Sequence, residues 1–439
     1  MLIRQTLLYL PAQFLAPAAQ LASMIVWTWW LAPAEMGVFA LTTATQELAY
    51  LATLSWLSVY VLRYLPGLDD AAGRARYLGT ETTVMLLAVL PQVLAAAVTV
   101  ALIDGMDGAG MIAAVAAYFV TRSANVHYAE RARAQTRIVA YTVLQAAGPV
   151  GGLVAGLAAM TLIGPTAEAL LLAYAAAQAL AILVALPMIG VSVRPRRPAG
   201  AVLRGAFAYG GPVLVLSGLG WMAENNIRYV VEHAAGAAAF GLLAVGWGLG
   251  RRAASFAAML VAAAAFPLAA RLINAGNRDT ALNQLATNAA LLCGVLFPAV
   301  AGLAMVGDGL VDLAVAEPYR ETTKAVLALS ALSGAIHFLH VHVTGQLFIL
   351  ERRFAFAAVV DTVEVVATVG LTALGLSTYG LVGAVAGAAA GSAIAGALSM
   401  VLAAGPLGFR FPLPDAARIA LATAAMAAVL ALLPETTSA

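Results

Sequence analysis

The chain has 439 residues, of which 63% are hydrophobic and only 10% are charged. Soluble domains carry about 25% charged residues, so this composition excludes an ordinary soluble enzyme or binding domain. A net charge of +2, with no basic face outside short loops, argues against a nucleic-acid partner. The single cysteine, Cys293, lies in an apolar run and allows no intrachain disulfide.

Long apolar runs predict membrane-spanning helices, because a helix needs about 20 apolar residues to cross the hydrocarbon layer. The first run is longer than the roughly 7–15 residues of a signal-peptide core, so we interpret it as a retained helix. Twelve spans follow in chain order: 7–31, 37–62, 80–103, 110–130, 138–163, 166–190, 205–231, 238–268, 285–307, 323–350, 354–377 and 380–404. A thirteenth candidate covers 416–433, so either the helix count is odd or a final helix is missing after residue 439.

The arginines predict the orientation, because Lys and Arg concentrate in the cytoplasmic loops of membrane proteins. With the N-terminus placed inside, 17 basic residues fall at the inner side, whereas only Arg320 and Lys324 fall at the outer side. The outer loops carry acidic residues instead. We therefore expect a multi-pass protein of a bacterial cytoplasmic (inner) membrane, with its N-terminus in the cytoplasm.

A basic segment interrupted by prolines divides the predicted helices six and six. We expect an N-terminal six-helix lobe, a cytoplasmic linker, a C-terminal six-helix lobe and a C-terminal segment with an additional helix, at 1–190, 191–204, 205–404 and 405–439. The two halves also resemble each other, since Gly37 and Ala40 recur as Gly241 and Ala244, 204 residues later. This repetition indicates a duplicated unit whose copies are related by an axis along the membrane normal.

Two predicted helices carry glycines at every fourth position, which places them on one helix face. Such small residues let helix backbones approach closely in lipid. We expect tight packing within each lobe at these positions: Gly148, Gly152 and Gly156, and Gly383, Gly387 and Gly391.

Polar and ionisable side chains inside the spans are costly in a bilayer, and therefore usually face a cavity or a partner. Those of helices 1, 2, 7 and 8 are Gln13, Gln20, Gln46, Glu47, Glu224, Asn225, Asn226, Arg228, Arg251 and Arg252. Glu224 and Arg228 are four residues apart and can pair along one helix face, which would serve only to stabilise the helix. Arg251 and Arg252 lie roughly 20 Å along helix 8 and point about 100° apart. At least one can line a cavity, where a guanidinium suits a phosphate or pyrophosphate.

A second polar group lies on helices 10 and 11. His337 and His340 share a helix face, and His342 follows them, but no further ligand is evident, so we expect no metal site. Hydrogen-bonded structural histidines and a proton relay both remain open. Asp361 and Glu364 are one turn apart, and neighbouring carboxylates hold protons more readily, which suits proton exchange. Structural pairing with the nearby arginines, Arg352 and Arg353, is the alternative.

Several enzyme motifs are missing from the sequence. It contains no GxxxxGK[ST] loop, so the chain is not expected to hydrolyse ATP. It also contains neither HExxH nor GxSxG, so we expect a protein that is not an enzyme. We expect no cofactor, although H⁺ or Na⁺ can drive transport.

Four stretches resemble the Wzx-type polysaccharide flippases. Leu31-Ala-Pro-Ala-Glu-Met-Gly-Val-Phe-Ala-Leu41 is similar to their first hairpin, and Asn226-Ile-Arg-Tyr229 to an Asp-Arg-Tyr/Phe element. Phe266-Pro-Leu-Ala-Ala-Arg271 resembles their helix-8 ending, and Glu317-Pro-Tyr319 their loop before helix 10. Met36 replaces a tyrosine and Asn226 an acid, which leaves the subfamily open. Together they span about 1–405 and identify the multidrug/oligosaccharidyl-lipid/polysaccharide exporter superfamily.

The resemblance implies an all-α membrane protein of 12–13 transmembrane helices, in two six-helix lobes around a central cleft as in MATE transporters. It implies flipping of an undecaprenyl-pyrophosphate-linked oligosaccharide for polysaccharide biosynthesis, with the bilayer and other polysaccharide assembly proteins as partners. We expect Arg251, Arg252 and Arg228 to attract the pyrophosphate. The expected sugar contacts are Gln13, Gln20, Gln46, Asn225 and Asn226, and the ion-coupling candidates are Glu47, Glu224, Asp361 and Glu364. A MATE-type drug/cation antiporter is the alternative, and a membrane glycan polymerase is disfavoured by the short outer loops.

Overall fold

A computed structural model describes residues 2–68, 70–191, 195 and 197–432, without the side chains of 2–14 and 262–267. All regular structure in these residues is helical. Thirteen helices follow in chain order within them: α1 (Leu2–Thr28), α2 (Pro33–Gly67), α3 (Ala71–Leu102), α4 (Gly108–Ala134), α5 (Ile138–Leu162), α6 (Ala167–Ile189), α7 (200–235), α8 (237–274), α9 (Arg278–Ala314), α10 (Glu317–Leu350), α11 (354–378), α12 (381–404) and α13 (Leu413–Leu432). Each predicted span, including the thirteenth, corresponds to one helix.

Length and hydropathy identify candidate membrane spans by a criterion separate from the number of helices. Nine helical stretches of the described chain are long and apolar enough to cross a membrane. Two of them, Gly200–Val261 and Phe354–Ala404, each contain parts of two helices separated by a single sharp turn. Glycine forms both turns, because Gly236 has φ +83° and Gly380 has φ +61°, a left-handed conformation that disfavours other residues.

Helix starts follow ordinary capping chemistry. The Asp70 carboxylate accepts hydrogen bonds from the backbone N–H groups of Ala72 and Gly73, at 2.7 and 2.9 Å, and so caps α3. These bonds lower the pKa of Asp70, which lies outside the spans, because they favour its charged form. Thr166 caps α6 in the same way, through the N–H of Ala169.

Internal contacts group the chain into two compact units. The first contains Met1–Trp221 and Gly236–Gly241, and the second contains Met222–Ala235 and Leu242–Ala439. The predicted lobe boundaries at 190 and 205 stay a prediction, and residues 192–194 and 196 of the predicted linker lie outside the described residues.

Close helix packing at the spaced glycines is confirmed. In the second unit, a Cβ on Gly387 of α12 would lie 2.1 Å from the carbonyl oxygen of Leu371 on α11. In the first unit, a Cβ on Gly156 of α5 would lie 2.6 Å from the Trp27 ring of α1. Neither distance is compatible with a side chain, so glycine permits these approaches.

The first unit also contains a buried charged network that the sequence did not reveal. Glu81 of α3 binds the Arg131 guanidinium with one carboxylate oxygen, and the other lies 2.9 Å from Nε2 of His127. Ser58 Oγ lies 2.9 Å from Nδ1 of the same ring. Arg131, which we expected at the inner side, is fully buried in the last turn of α4 and donates to the Gly190 carbonyl oxygen at 2.9 Å. The network therefore joins α2, α3, α4 and the end of α6.

Arg131→Ala should strongly destabilise the protein, by about 3–5 kcal/mol, because it leaves the Glu81 carboxylate buried without its cation. Arg133→Ala is the matched control, since Arg133 pairs with Glu130 at an exposed position on the same helix. Its effect should stay below about 1 kcal/mol. Thermal unfolding of the detergent-solubilised protein measures both effects, and equal losses would contradict this interpretation.

Candidate functional site

The side chain of Arg251 on α8 is the most unusual polar group of the second unit. The residue as a whole is 7% exposed, and its Nη2 lies 3.8 Å from Oε1 of Glu224 on α7. Nη1 donates to Ser333 Oγ at 3.4 Å, while the guanidinium lies 5.0 Å from the Trp247 ring centroid. Among the described residues, neither Nε nor Nη2 has a hydrogen-bond acceptor. The guanidinium is therefore buried, charged and incompletely bonded.

Small residues fix this arginine against α10. A Cβ on Gly334 of α10 would lie 3.3 Å from the Arg251 Cα atom, and a Cβ on Gly250 would lie 2.6 Å from the Leu327 carbonyl oxygen. The two backbones are thus nearly in contact, which holds Arg251 beside Ser333 and over the Phe338 ring at 5.7 Å. In the sequence, Gly250 directly before Arg251 indicates that another backbone can approach closely at this point.

The Glu224–Arg251 pair is asymmetric in its exposure. The Glu224 side chain is 48% exposed, whereas that of Arg251 is 8% exposed. A buried cation with free donors is costly unless an anion completes its bonds. Phosphate oxygens match the forked donors of a guanidinium, so this geometry can hold a phosphorylated group.

A second polar cluster surrounds the carboxylate of Glu364 on α11, which is 1% exposed. Its Oε1 lies 2.9 Å from Nδ1 of His337 and accepts from Ser392 Oγ at 2.8 Å. Its Oε2 lies 3.1 Å from Nε2 of His340. We name His337, His340, Glu364 and Ser392 the Glu364 cluster. The cluster joins α10, α11 and α12. Directly after His340, α10 contains a π-helical turn at Val341–Gly345, and such turns are frequent near functional sites.

The structure answers part of the question that the sequence left open at helices 10 and 11. His337 and His340 are both hydrogen-bonded to Glu364. The sequence did not predict these hydrogen bonds. Among the described residues, neither Asp361 nor Glu364 forms an ion pair with Arg352 or Arg353, the structural alternative. One ligand atom from each of His337, His340 and Glu364 lies within 4.8 Å of the others, so a third ligand that the sequence did not show is present. The expectation that no metal binds here stays a prediction.

The other predicted residues of the second unit lie near Arg251 or along α7. Asn225 and Asn226 are buried, and the Asn226 amide donates to the Thr368 hydroxyl of α11. Arg228 is half-buried and interacts electrostatically with both Glu224 and Arg251. Glu224 contacts Arg251 on a neighbouring helix, and the predicted Glu224–Arg228 pairing along α7 stays a prediction. Arg252 is half-buried, as expected if it points away from Arg251.

The predicted residues of the first unit are less concentrated. Gln46 is buried and donates to Ser123 Oγ of α4 at 3.0 Å, so it helps pack α2 against α4. Gln20 is half-buried and Glu47 is exposed. The side chain of Gln13 lies outside the described residues. Their roles in binding sugar or ions stay predictions.

Sequence reasoning missed the neutral groups around the charged ones. Ser333, Trp247 and Phe338 surround Arg251, and Ser392 completes the bonds of Glu364. Trp247 offered a signal, because it precedes Arg251 by four residues and therefore shares its helix face. The serines offered none, since their partners are 28 or more residues away in the chain.

Comparisons with known proteins agree with this architecture. A family model described as Polysaccharide biosynthesis protein matches residues 30–324. A structure of the lipid II flippase MurJ in an inward closed conformation is similar with a TM-score of 0.75 and 11% identity, over 98% of this chain and 94% of that one. An inward-facing MATE family transporter of the MOP superfamily gives 0.60 and 14%, over 99% and 96%. The MATE multidrug transporter DinF-BH, solved in complex with a rhodamine dye, gives 0.58 and 14%, over 91% and 94%.

No curated protein matches the chain significantly by sequence. The identities to the solved structures are low, so those structures show the fold alone. They confirm the predicted all-α, MATE-like membrane fold, and with the family match they confirm the predicted superfamily.

Proposed function

The chain belongs to the polysaccharide biosynthesis protein family, and from this premise we propose that it flips a lipid-linked oligosaccharide across the cytoplasmic membrane. The observation that carries the proposal is the Arg251 guanidinium, which is buried yet has two donor atoms without acceptors in the part of the chain that the structure describes. An undecaprenyl-pyrophosphate headgroup offers the oxygen acceptors that those donors lack. The flippase is not an enzyme, since it moves its substrate without changing it.

Arg251 acts as the principal headgroup ligand, and Arg252 and Arg228 add positive charge. Glu224 competes with the diphosphate for Arg251, so the ion pair occupies the guanidinium when substrate is absent. The 3.8 Å separation of Glu224 and Arg251 supports this role, because it is too long for a hydrogen bond and easily exchanged. Sugar hydroxyls are bound by Asn225 and Asn226, with Gln13, Gln20 and Gln46 as further contacts.

Transport proceeds by alternating access, in which the binding site opens first to the inner and then to the outer leaflet. The driving force is an ion gradient of H⁺ or Na⁺. The candidate coupling groups are Glu47, Glu224, Asp361 and Glu364. The N-terminus lies in the cytoplasm, and other polysaccharide assembly proteins supply and consume the substrate.

A MATE-type cation antiporter is the second candidate. The half-exposed Glu224 carboxylate favours it, because a carboxylate attracts cationic drugs. The buried guanidinium beside Glu224 opposes it, since Arg251 repels a cation at the same position. One structural relative of the MATE type was solved with a rhodamine dye, which makes that dye a suitable probe.

A flippase-deficient bacterium that accumulates lipid-linked repeat units inside the cell separates the two candidates. Expression of the chain should restore surface glycan and leave efflux of the rhodamine dye at the level of the empty vector. Surface glycan is measured by lectin or antibody binding, and efflux by dye fluorescence. Faster dye efflux without surface glycan would favour the antiporter.

A further inference from the structure

A polar cavity lies at one end of the first unit, where α2, α4 and α6 end and α3 begins. Its volume is about 510 Å³, which is within the range of sites that bind small molecules. Leu65 of α2, Arg74 of α3, Met188 of α6 and Arg137 of the turn between α4 and α5 line it. Among the described residues, no carboxylate lines the cavity. In the proposed orientation, this end of the unit faces the cytoplasm.

The two arginines of the cavity have no acidic partner. Arg76, only two residues after Arg74, pairs with Asp70 at 3.9 Å and does not line the cavity. Arg74 and Arg137 are exposed, and neither forms an ion pair in the part of the chain that the structure describes. Their guanidinium groups can therefore donate to a ligand that enters the cavity.

The second unit contains the same turn with an acid added. Thr136 and Arg352 both have φ +55°, and the arginine after each donates its backbone N–H to the carbonyl five residues earlier, at 2.8 and 2.7 Å. Gln135 precedes the first turn, whereas Glu351 precedes the second. The Glu351 carboxylate accepts from Arg278 Nε at 2.6 Å. The second unit thus supplies its own anion at this turn, whereas the first unit has a neutral amide there.

The helix ends around the cavity are capped. Helix C-termini usually disfavour anions, because they carry carbonyl oxygens without partners. Here Arg131 donates to the carbonyl oxygens of Ile189 and Gly190, at 3.2 and 2.9 Å. The Thr136 N–H donates to the Arg133 carbonyl oxygen at 3.0 Å. These ends therefore repel an anion less than uncapped ends would.

We propose that this cavity binds a phosphate group through Arg74 and Arg137. The forked donors of two guanidinium groups match phosphate oxygens, and the apolar side chains of Leu65 and Met188 suit the rest of a phosphorylated molecule. Either a soluble cytoplasmic compound or an acidic phospholipid of the inner leaflet carries this group. The site is independent of the proposed function, since none of its residues is assigned to the headgroup, the sugars or the coupling ion.

A cysteine introduced at Met188 reports whether the cavity is occupied. The full-length variant is placed in phosphatidylcholine nanodiscs and labelled with N-ethylmaleimide, with pyrophosphate or with chloride at equal ionic strength. A second preparation contains phosphatidylglycerol and no pyrophosphate. A ligand at about ten times its Kd should slow labelling about tenfold, by mass action. Protection by pyrophosphate identifies a soluble ligand, and protection by phosphatidylglycerol identifies a lipid headgroup.

Three variants in the Met188→Cys background show whether the arginines hold the ligand. Arg74→Gln with Arg137→Gln should raise the Kd about tenfold or more for each arginine lost, because each forms a charge-assisted hydrogen bond. Gln135→Glu should also weaken protection, since its carboxylate competes with the ligand as Glu351 would in the second unit. Arg76→Gln is the matched control, because it removes the same charge from outside the cavity, and it should leave protection unchanged.

Each outcome supports or overturns the site. Protection by either phosphate source that is lost in the double variant and retained in Arg76→Gln supports it. Equal labelling rates with and without both sources overturn it. Protection that survives in the double variant also overturns it, since the anion then does not bind through Arg74 and Arg137. Equal weakening by Arg76→Gln and Arg74→Gln would assign the effect to net charge and overturn the site as well.

Discussion

Replacing Arg251 with alanine should reduce glycan flipping about 100-fold or more while the protein still folds and inserts. Each hydrogen bond from a charged donor contributes about 1.5–3 kcal/mol, and two donor atoms of Arg251 have no hydrogen-bond acceptor among the described residues, so both can bind phosphate oxygens. The joint loss of two such bonds weakens headgroup binding by about 3 kcal/mol. This corresponds to about 100-fold in affinity, since every 1.4 kcal/mol is tenfold. Folding should survive, since the Glu224 side chain is half exposed and is not enclosed in the protein interior.

Two further variants make this result specific. Arg251→Lys keeps the charge but loses the planar fork, so flipping should fall by only about tenfold. Arg418→Ala removes an exposed arginine of α13 that pairs with Asp415, and should leave flipping unchanged. The initial rate of glycan appearance at the surface, normalised to membrane protein level, measures all three. Normal flipping by Arg251→Ala would remove the headgroup role of this residue.

Substituting Gly37 with alanine should reduce flipping to less than about a tenth of the wild-type rate. Gly37 on α2 and Gly241 on α8, the pair that recurs in the two halves, meet face to face within the first unit. A Cβ on Gly37 would lie 1.9 Å from the Ala237 carbonyl oxygen, and one on Gly241 would lie 1.8 Å from that of Pro33. The helices must separate to admit even one methyl group, at a cost of about 1–3 kcal/mol.

Separation of the two helices at this crossing should uncover the buried residue next to Gly37. Gly37→Ala should therefore increase labelling of a cysteine introduced at Val38, which is 3% exposed. The native Cys293 is fully buried and should add little background. Gly220→Ala is the matched control, since no described atom outside its own stretch of helix would lie within 4 Å of its Cβ. Unchanged labelling and flipping in Gly37→Ala would show that this close approach is not needed for transport.

Helix number and type could be predicted from the sequence, because length and hydropathy alone decide whether a segment crosses the bilayer. The spaced glycines could be predicted as helix–helix contacts, since glycines at every fourth position on one helix face typically mark close packing of two helices. The different directions of Arg251 and Arg252 followed from their neighbouring positions on one helix, but which of the two is buried did not.

Partners distant in sequence could not be predicted. Glu224 contacts Arg251 on the next helix. The sequence indicated only Arg228 as a partner, because a spacing of four residues along one helix can be read from the sequence and a contact between helices cannot. Glu364 is 24 and 27 residues away from its two histidines, and Glu81 is 50 away from Arg131. Burial of charge in a membrane requires a partner, but hydropathy does not indicate which helix supplies it.

Reconstitution into liposomes tests the central claim most directly. Vesicles containing the purified protein and a fluorescent undecaprenyl-diphosphate-linked oligosaccharide are exposed to a membrane-impermeant quencher. Wild-type protein should expose nearly all of the labelled lipid within minutes, whereas protein-free and Arg251→Ala vesicles should stop at the half that starts in the outer leaflet. Quenching that stops at one half with folded wild-type protein, with and without an imposed pH or Na⁺ gradient, would contradict the account.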